Sequence, residues 1–252
     1  MSLIDYADYI VNQCVAHFPR KKPDPASLAQ SKIIAHRGAH CKKSGIVENT
    51  DAAFQRALDL GCWGIELDVR TTADAVLVVN HDDSLKRLWG INRSIHELRF
   101  EELRALVPMI PSLDEVVAKY GRKMHLFVEL KAPFHAEQSL VTTLLPLIPG
   151  QDYHLLSVDE PVLAPLTAFP RRILLLVASV TNAAAFCKLS LDKSYGGVLG
   201  HYLLLTNARI KRLQEAGQLT GVGFVDSQSS LYRELNRGLL WLFTNNVTKV
   251  LN

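Results

Sequence analysis

Long apolar runs are missing from this 252-residue chain. No stretch of about 18 residues is apolar enough to cross a bilayer, so no transmembrane helix is expected. The first residues lack a basic stretch followed by an apolar one, so no secretory signal is expected either. Cysteine is scarce: Cys14, Cys41, Cys62 and Cys187. None form a CxxC pair, and four in a chain of this length do not make a disulfide framework. Free thiols in a reducing, cytoplasmic setting are the expectation. Excess charge is also lacking, with 28 Lys and Arg against 25 Asp and Glu. There is no dense basic tract beyond Arg20–Lys22 and no aromatic ladder among basic residues, which argues against nucleic acid as a partner. Nothing repeats at a short fixed period, which argues against a solenoid. Nothing indicates a homo-oligomer.

What is present is apolar residues, 48% of the chain, enough for a sizeable core. Residues 1–32 stand apart from the rest. Leu3, Ile4, Ala7, Ile10, Val11, Cys14, Val15 and Phe18 recur at helical spacing, and Asp5, Asp8, Asn12 and Gln13 take the opposite face. A membrane-surface helix usually carries Lys and Arg there, so this one is expected to pack on protein. The stretch "RKKPDPASLAQSK" reads as a linker, with Pro23 and Pro25 blocking helix.

From residue 33 the pattern alternates. Strands are predicted at 33–36, 63–69, 126–130, 153–157, 173–177, 197–199, 221–225 and 239–243. Helices are predicted at 50–60, 112–120, 136–147, 160–168, 182–190, 206–216 and 227–236, with Gly61, Gly121 and Gly217 suited to helix C-termini. Eight strands alternating with helices predict a (β/α)8 TIM barrel over residues 33–252, with residues 1–32 as a helical extension. The connection 71–111 is long enough for a small insertion after the second strand.

Parallel barrel strands are covered on both faces, so charges inside them belong at the C-terminal mouth, where sites are built. "GIELDV" puts Glu66 and Asp68 on one face, about 6–7 Å apart along the strand. "FVELK" does the same with Glu129 and Lys131. Three carboxylates make an all-oxygen cluster suited to Mg²⁺ or Ca²⁺; an ion-pair network with Arg37 and Lys131 is the other reading. "IIAHRG" ends a strand on His36, Arg37 and Gly38, and "VVNHDD" carries His81 and Asp82. Two imidazoles beside a carboxylate cluster can share acid and base duties. Arg37 offers a donor fork for phosphate.

"AHRG", "ENTDAAFQRALDLGCWGIELDVRTTAD" and "VVNHDD" together resemble the glycerophosphodiester phosphodiesterase family, with a further match at "VELK" and a weaker one at "LFTNN". The resemblance is strong over residues 33–82 and weaker to Asn246; residues 1–32 lie outside it. It implies a (β/α)8 barrel and hydrolysis of a small-molecule glycerophosphodiester to glycerol 3-phosphate and an alcohol, with a divalent metal. By position it implies His36 and His81 as the acid/base pair and Glu66, Asp68 and Glu129 as metal ligands. Arg37 and Lys131 would contact phosphate, with Glu48 beside the metal or the glycerol hydroxyls. The sequence departs from the family pattern at Val47, Ala75 and Phe224, where Pro, Gly and Trp are usual. The lost tryptophan leaves substrate preference open. His201 lies where it could line the pocket or merely the surface. Cys41 falls near the site with no reactive role expected, and His40 reads as a loop residue.

Two alternatives keep the barrel. A lysophospholipase D-type enzyme would need an exposed apolar rim; the short insertion of mixed charge and the acidic N-terminal helix speak against one. A non-catalytic phosphate-binding barrel would be expected to lack a histidine or a carboxylate, and none is missing.

Overall fold

β1 (Lys32–His36) pairs in parallel with β2 (Gly64–Thr71) on one side and with β9 (Trp241–Thr244) on the other. Between those partners the sheet runs through β4 (His125–Leu130), β5 (Tyr153–Ser157), β6 (Leu174–Ala178), β7 (Gly197–His201) and β8 (Leu219–Gly223), every neighbour parallel. Eight strands thus close the predicted TIM barrel. β3 (Leu77–Val79) is a ninth, antiparallel on β2. This computed structural model describes residues 18–251. The amphipathic helix expected over 3–18 lies outside the described residues, but for its last position.

The linker expectation needs correction. Pro25–Gln30 forms a helix, α1, capped by Asp24, whose carboxylate accepts from the Ser27 N–H at 2.9 Å. Pro25 sits at the first helical position, where no N–H is needed and its fixed φ already suits a helix. The predicted helices recur as α2 (Asp51–Asp59), α5 (Leu113–Tyr120), α6 (Glu137–Leu144), α7 (Glu160–Leu163), α8 (Ala183–Asp192), α9 (Asn207–Glu215) and α10 (Gln228–Leu235). α6 and α7 end early, one residue short of the positions that precede Pro146 and Pro165, which disfavour helix. The chain closes on α11 (Val247–Leu251). Gly61 and Gly217 take the expected left-handed φ. Gly121 does not, with φ −58°. It is needed for room: a Cβ there would fall 2.7 Å from the Val117 carbonyl.

The predicted insertion holds β3, α3 (Lys86–Trp89) and α4 (Phe100–Leu106). It has a small core of its own, with Val78, Leu85, Ile95, Leu98, Leu103, Val107 and Ile110 buried together.

Alternation in the strands sorts the barrel. Outward residues such as Ile65, Leu67, Val69, Leu174 and Leu176 pack under the helices. Inward, Ile34, Phe127, Leu156, Leu175, Leu199, Trp241 and Phe243 fill the middle. Below them Trp63 stacks on His125, whose Nε2 lies 2.8 Å from His154 Nδ1. The inward charges therefore stand above a solid apolar plug, at the C-terminal mouth.

Candidate active site

Strand register brings the charges together. His36 is level with Glu66 across β1–β2, and Asp68 is level with Glu129 across β2–β4. All three carboxylates are buried, and one oxygen from each lies within 4.8 Å of the others. Lys131 contacts both Glu129 and Asp68, the latter at 2.7 Å. Arg37 reaches Asp68 at 3.3 Å and Glu48 at 2.9 Å.

Two cations are thus already among the acids, and they favour Asp68. Burial alone would raise its pKa, but Lys131 and Arg37 outweigh burial and hold it at about 2. Glu66 goes the other way: burial, then Asp68 and Glu129, push its pKa well up. Burial raises Glu129 as well, against the pull of Lys131. Glu66 Oε2 accepts from the Arg37 backbone N–H at 3.0 Å, while Oε1 is buried with no partner. An orphaned carboxylate oxygen in an all-oxygen cluster is what a hard divalent cation would satisfy. The donor set fits such an ion.

The turn after β1 is built tightly. Arg37 has φ 55° and Gly38 φ 76°. At Gly38 any Cβ would lie 2.8 Å from Ala53 and 2.9 Å from Phe54 of α2. The "ENT" residues then divide the work. Glu48 faces Arg37. Buried Asn49 donates to Asp68 Oδ2 at 2.7 Å and its backbone N–H binds the Arg37 carbonyl at 2.9 Å. Thr50 caps α2.

The two histidines are held differently. His36 Nδ1 lies 2.8 Å from Asn245 Oδ1, just after β9, and Nε2 is 3.7 Å from Glu66. The Asn245 N–H donates to Asp226 at 2.7 Å. Burial, then the charge of Arg37, lowers the His36 pKa to about 4, leaving the ring neutral. His81 follows β3, and its carbonyl accepts two bonds from Arg70, at 3.0 and 2.9 Å. Its Nδ1 lies 2.7 Å from Asp82 Oδ1. Burial lowers its pKa while Asp68 opposes. Arg87 of α3 contacts Asp82 and donates to Glu48 Oε1 at 2.7 Å. The insertion thereby clasps the β1 turn across the mouth.

All eight residues singled out from the sequence lie at this mouth: His36, Arg37, Glu48, Glu66, Asp68, His81, Glu129 and Lys131. His201 lines the cavity beside them, as does Phe224, whose ring meets His36 edge-on at 4.9 Å. Cys41 stays outside that lining, in a short turn where it bridges to Ile46. Sequence reasoning passed over Asn49, Arg70, Arg87, Asp226 and Asn245, and named Asp82 without giving it a role. Asn49 and Asn245 sit inside quoted motifs, and a polar side chain next to a strand end was the available signal. Arg87 had none, because its reach depends on how the insertion folds back.

Comparison with known proteins agrees with this geometry. Residues 36–149 match the model of the glycerophosphoryl diester phosphodiesterase family. A glycerophosphodiester phosphodiesterase of Caldanaerobacter subterraneus subsp. tengcongensis is 38% identical over 112 residues, 40% of this chain and 45% of that protein. Lysophospholipase D GDPD1 of Homo sapiens is 45% identical over 73 residues, 29% of this chain and 22% of that protein. The chain thus spans less than half the length of these curated relatives. An Oleispira antarctica phosphodiesterase solved in complex with the product sn-glycerol-3-phosphate shares the fold, with TM-score 0.72, 24% identity and coverage of 89% of this chain and 97% of that one. The histidine, arginine and carboxylate motifs that converge at the mouth of this barrel all lie within residues 36–149, the stretch that matches the glycerophosphoryl diester phosphodiesterase family.

Proposed function

We propose that residues 33–252 form a phosphoric diester hydrolase that cleaves glycerophosphodiesters to glycerol 3-phosphate and an alcohol. The observation that carries this reading is the unpartnered Glu66 Oε1 in a buried acidic cluster beside His36. Glu66, Asp68 and Glu129 would hold a divalent ion, Mg²⁺ or Ca²⁺, which supplies Lewis-acid neutralisation of the phosphate. Arg37 and Lys131 bind the remaining phosphate oxygens and stabilise charge developing on them. Glu48, set by Arg37 and Arg87, faces the glycerol hydroxyls.

The two hydrogen-bonding environments separate the histidines. Asn245 Oδ1 accepts from His36 Nδ1–H, which leaves a lone pair on Nε2 of a ring kept neutral. His36 is the base: it takes the proton of the nucleophile, water or the substrate's own hydroxyl. Asp82 accepts from His81 Nδ1–H, and its charge opposes the lowering that burial imposes on the His81 pKa, unlike the neutral amide behind His36. His81 is the acid: it protonates the departing alkoxide as the P–O bond breaks.

The test uses glycerophosphocholine and glycerophosphoethanolamine. A chelator should abolish turnover and Mg²⁺ or Ca²⁺ should restore it. His36→Ala and His81→Ala should each cost about 10²–10⁴-fold in kcat. Near-normal turnover in either variant sinks the mechanism.

A further inference from the structure

Arg87 belongs to the insertion, on the four-residue α3, and its side chain is 46% exposed. Exposed ion pairs add little to stability, so the fold has small need of this side chain. Yet its one guanidinium meets two carboxylates of the site. Nη2 donates to Glu48 Oε1 at 2.7 Å, and Nε contacts Asp82 Oδ2. Each carboxylate has a second engagement. Asp82 Oδ1 lies 2.7 Å from His81 Nδ1, and Glu48 Oε1 also accepts from Arg37 Nη1 at 2.9 Å. One unbroken chain of polar contacts therefore runs from His81 through Asp82, Arg87 and Glu48 to Arg37, in the turn that follows His36.

The insertion aims Arg87. Leu85, two residues before it, is buried in the insertion's core. Trp89, two residues after it, donates its indole N–H to Asn80 Oδ1 at 3.2 Å. Buried Asn80 donates from Nδ2 to the Asp82 carbonyl at 2.7 Å and from its backbone N–H to the Asp68 carbonyl at 3.0 Å. Asp82 and Arg87 thus hang from one frame, fixed to the end of β2. Glu48 and Asp82 are both acids and cannot pair with each other. Among the described residues, Arg87 is the cation that contacts both.

Resting on the hydrolase reading above, we propose that Arg87 is a positioning residue that couples glycerol recognition to leaving-group protonation. It sets Glu48 beside the glycerol hydroxyls and Asp82 behind His81 with one guanidinium, so neither carboxylate is placed independently of the other. A planar fork can serve two acceptors at once, whereas an ammonium is a point charge without a fixed fork. Glu48 Oε1 is taken by two arginines, which leaves Oε2 for a substrate hydroxyl. Asp82 divides its oxygens between Arg87 and His81, so the aim of the ring follows that of the guanidinium.

The experiment is a double-mutant cycle on kcat/KM for glycerophosphocholine. Glu48→Gln and Asp82→Asn are measured alone and together, in the wild-type background and in Arg87→Met. Independent sites multiply to within about twofold. With Arg87 present the double variant should depart from that product by about tenfold; in Arg87→Met the product should hold. Arg87→Met by itself should raise KM and lower kcat, each by about tenfold. Arg87→Lys keeps the charge and should still lose the coupling. A second readout needs no substrate. The His81 ring, followed by NMR, should titrate at higher pH in Arg87→Met, because Asp82 then serves it alone. Asp68, Arg37 and Lys131 also act on this ring and Arg70 holds its carbonyl; all four are unchanged in that variant. A cycle that multiplies in the wild-type background, or a coupling that survives both Arg87 variants, overturns the proposal. So does a His81 titration that Arg87→Met fails to raise. Absence of turnover in the wild-type protein would overturn the hydrolase reading, while a raised His81 titration would still support the bridge.

Discussion

At the scale of single residues, the site is governed by how few cations face its acids. Glu48, Glu66, Asp68 and Glu129 share Arg37 and Lys131, with Arg87 at the edge. The side-chain cations settle on Asp68, Glu48 and Glu129, so Glu66 is left to take up a proton or a metal. Adding Mg²⁺ or Ca²⁺ to the protein should therefore raise Tm, since an ion bound only by the fold stabilises it. Glu66→Gln should remove that shift, which differential scanning fluorimetry would read without any substrate. The residues behind the histidines matter nearly as much as the rings. Asn245→Ala frees His36 to rotate and should lower kcat about 10–100-fold with little change in Tm. Asp82→Asn keeps the shape but removes the charge that favours a protonated His81, and should lower kcat about 10²-fold or more. If kcat of either variant stays within a factor of two, these partners do not position the rings.

At the scale of elements, two backbone positions test how the turns are built. Ala75 has φ 61°, in the region where a side chain is unfavourable, and it stands where the family pattern has glycine. Ala75→Gly should stabilise the protein by about 1 kcal/mol, the strain a left-handed L-residue carries, read as a rise in Tm of about 2–4 °C. Gly38→Ala combines a disfavoured φ with a clash against α2, and should destabilise by about 2–4 kcal/mol and lower kcat as Arg37 shifts. Strands and helices were legible because period 2 and period 3.6 are written directly in the order of apolar residues. Their ends were less so. β8 begins at Leu219 rather than 221, because pairing with Gly197 of β7 sets its start and Phe224 leaves the sheet for the site. α1 hid behind two prolines, one of which is its first residue.

At the scale of the whole molecule, the closed barrel buries two histidines in its floor, and they make stability depend on pH. Burial lowers the pKa of His125 to about 4 and of His154 to about 3, the latter also through its neighbour. In the unfolded chain both would titrate near 6.5. Below that pH the unfolded state binds protons that the fold refuses, so stability falls as pH drops from about 6.5 towards 4 and is level above. The urea midpoint should decline across that window. Replacing the pair together, with His125→Phe and His154→Leu, should flatten the decline. An unchanged slope in the double variant would place the acid sensitivity elsewhere.

The order of residues alone determined the barrel, the inward face of each strand and the motifs that converge at its mouth, because alternation decides facing before any neighbour is known. It could not decide which cation pairs with which acid, or how Asn245 and Asp82 hold the two rings. Those depend on strand register and loop return, which bring together residues as far apart as His36 and Asn245. Only closure of the barrel sets them side by side.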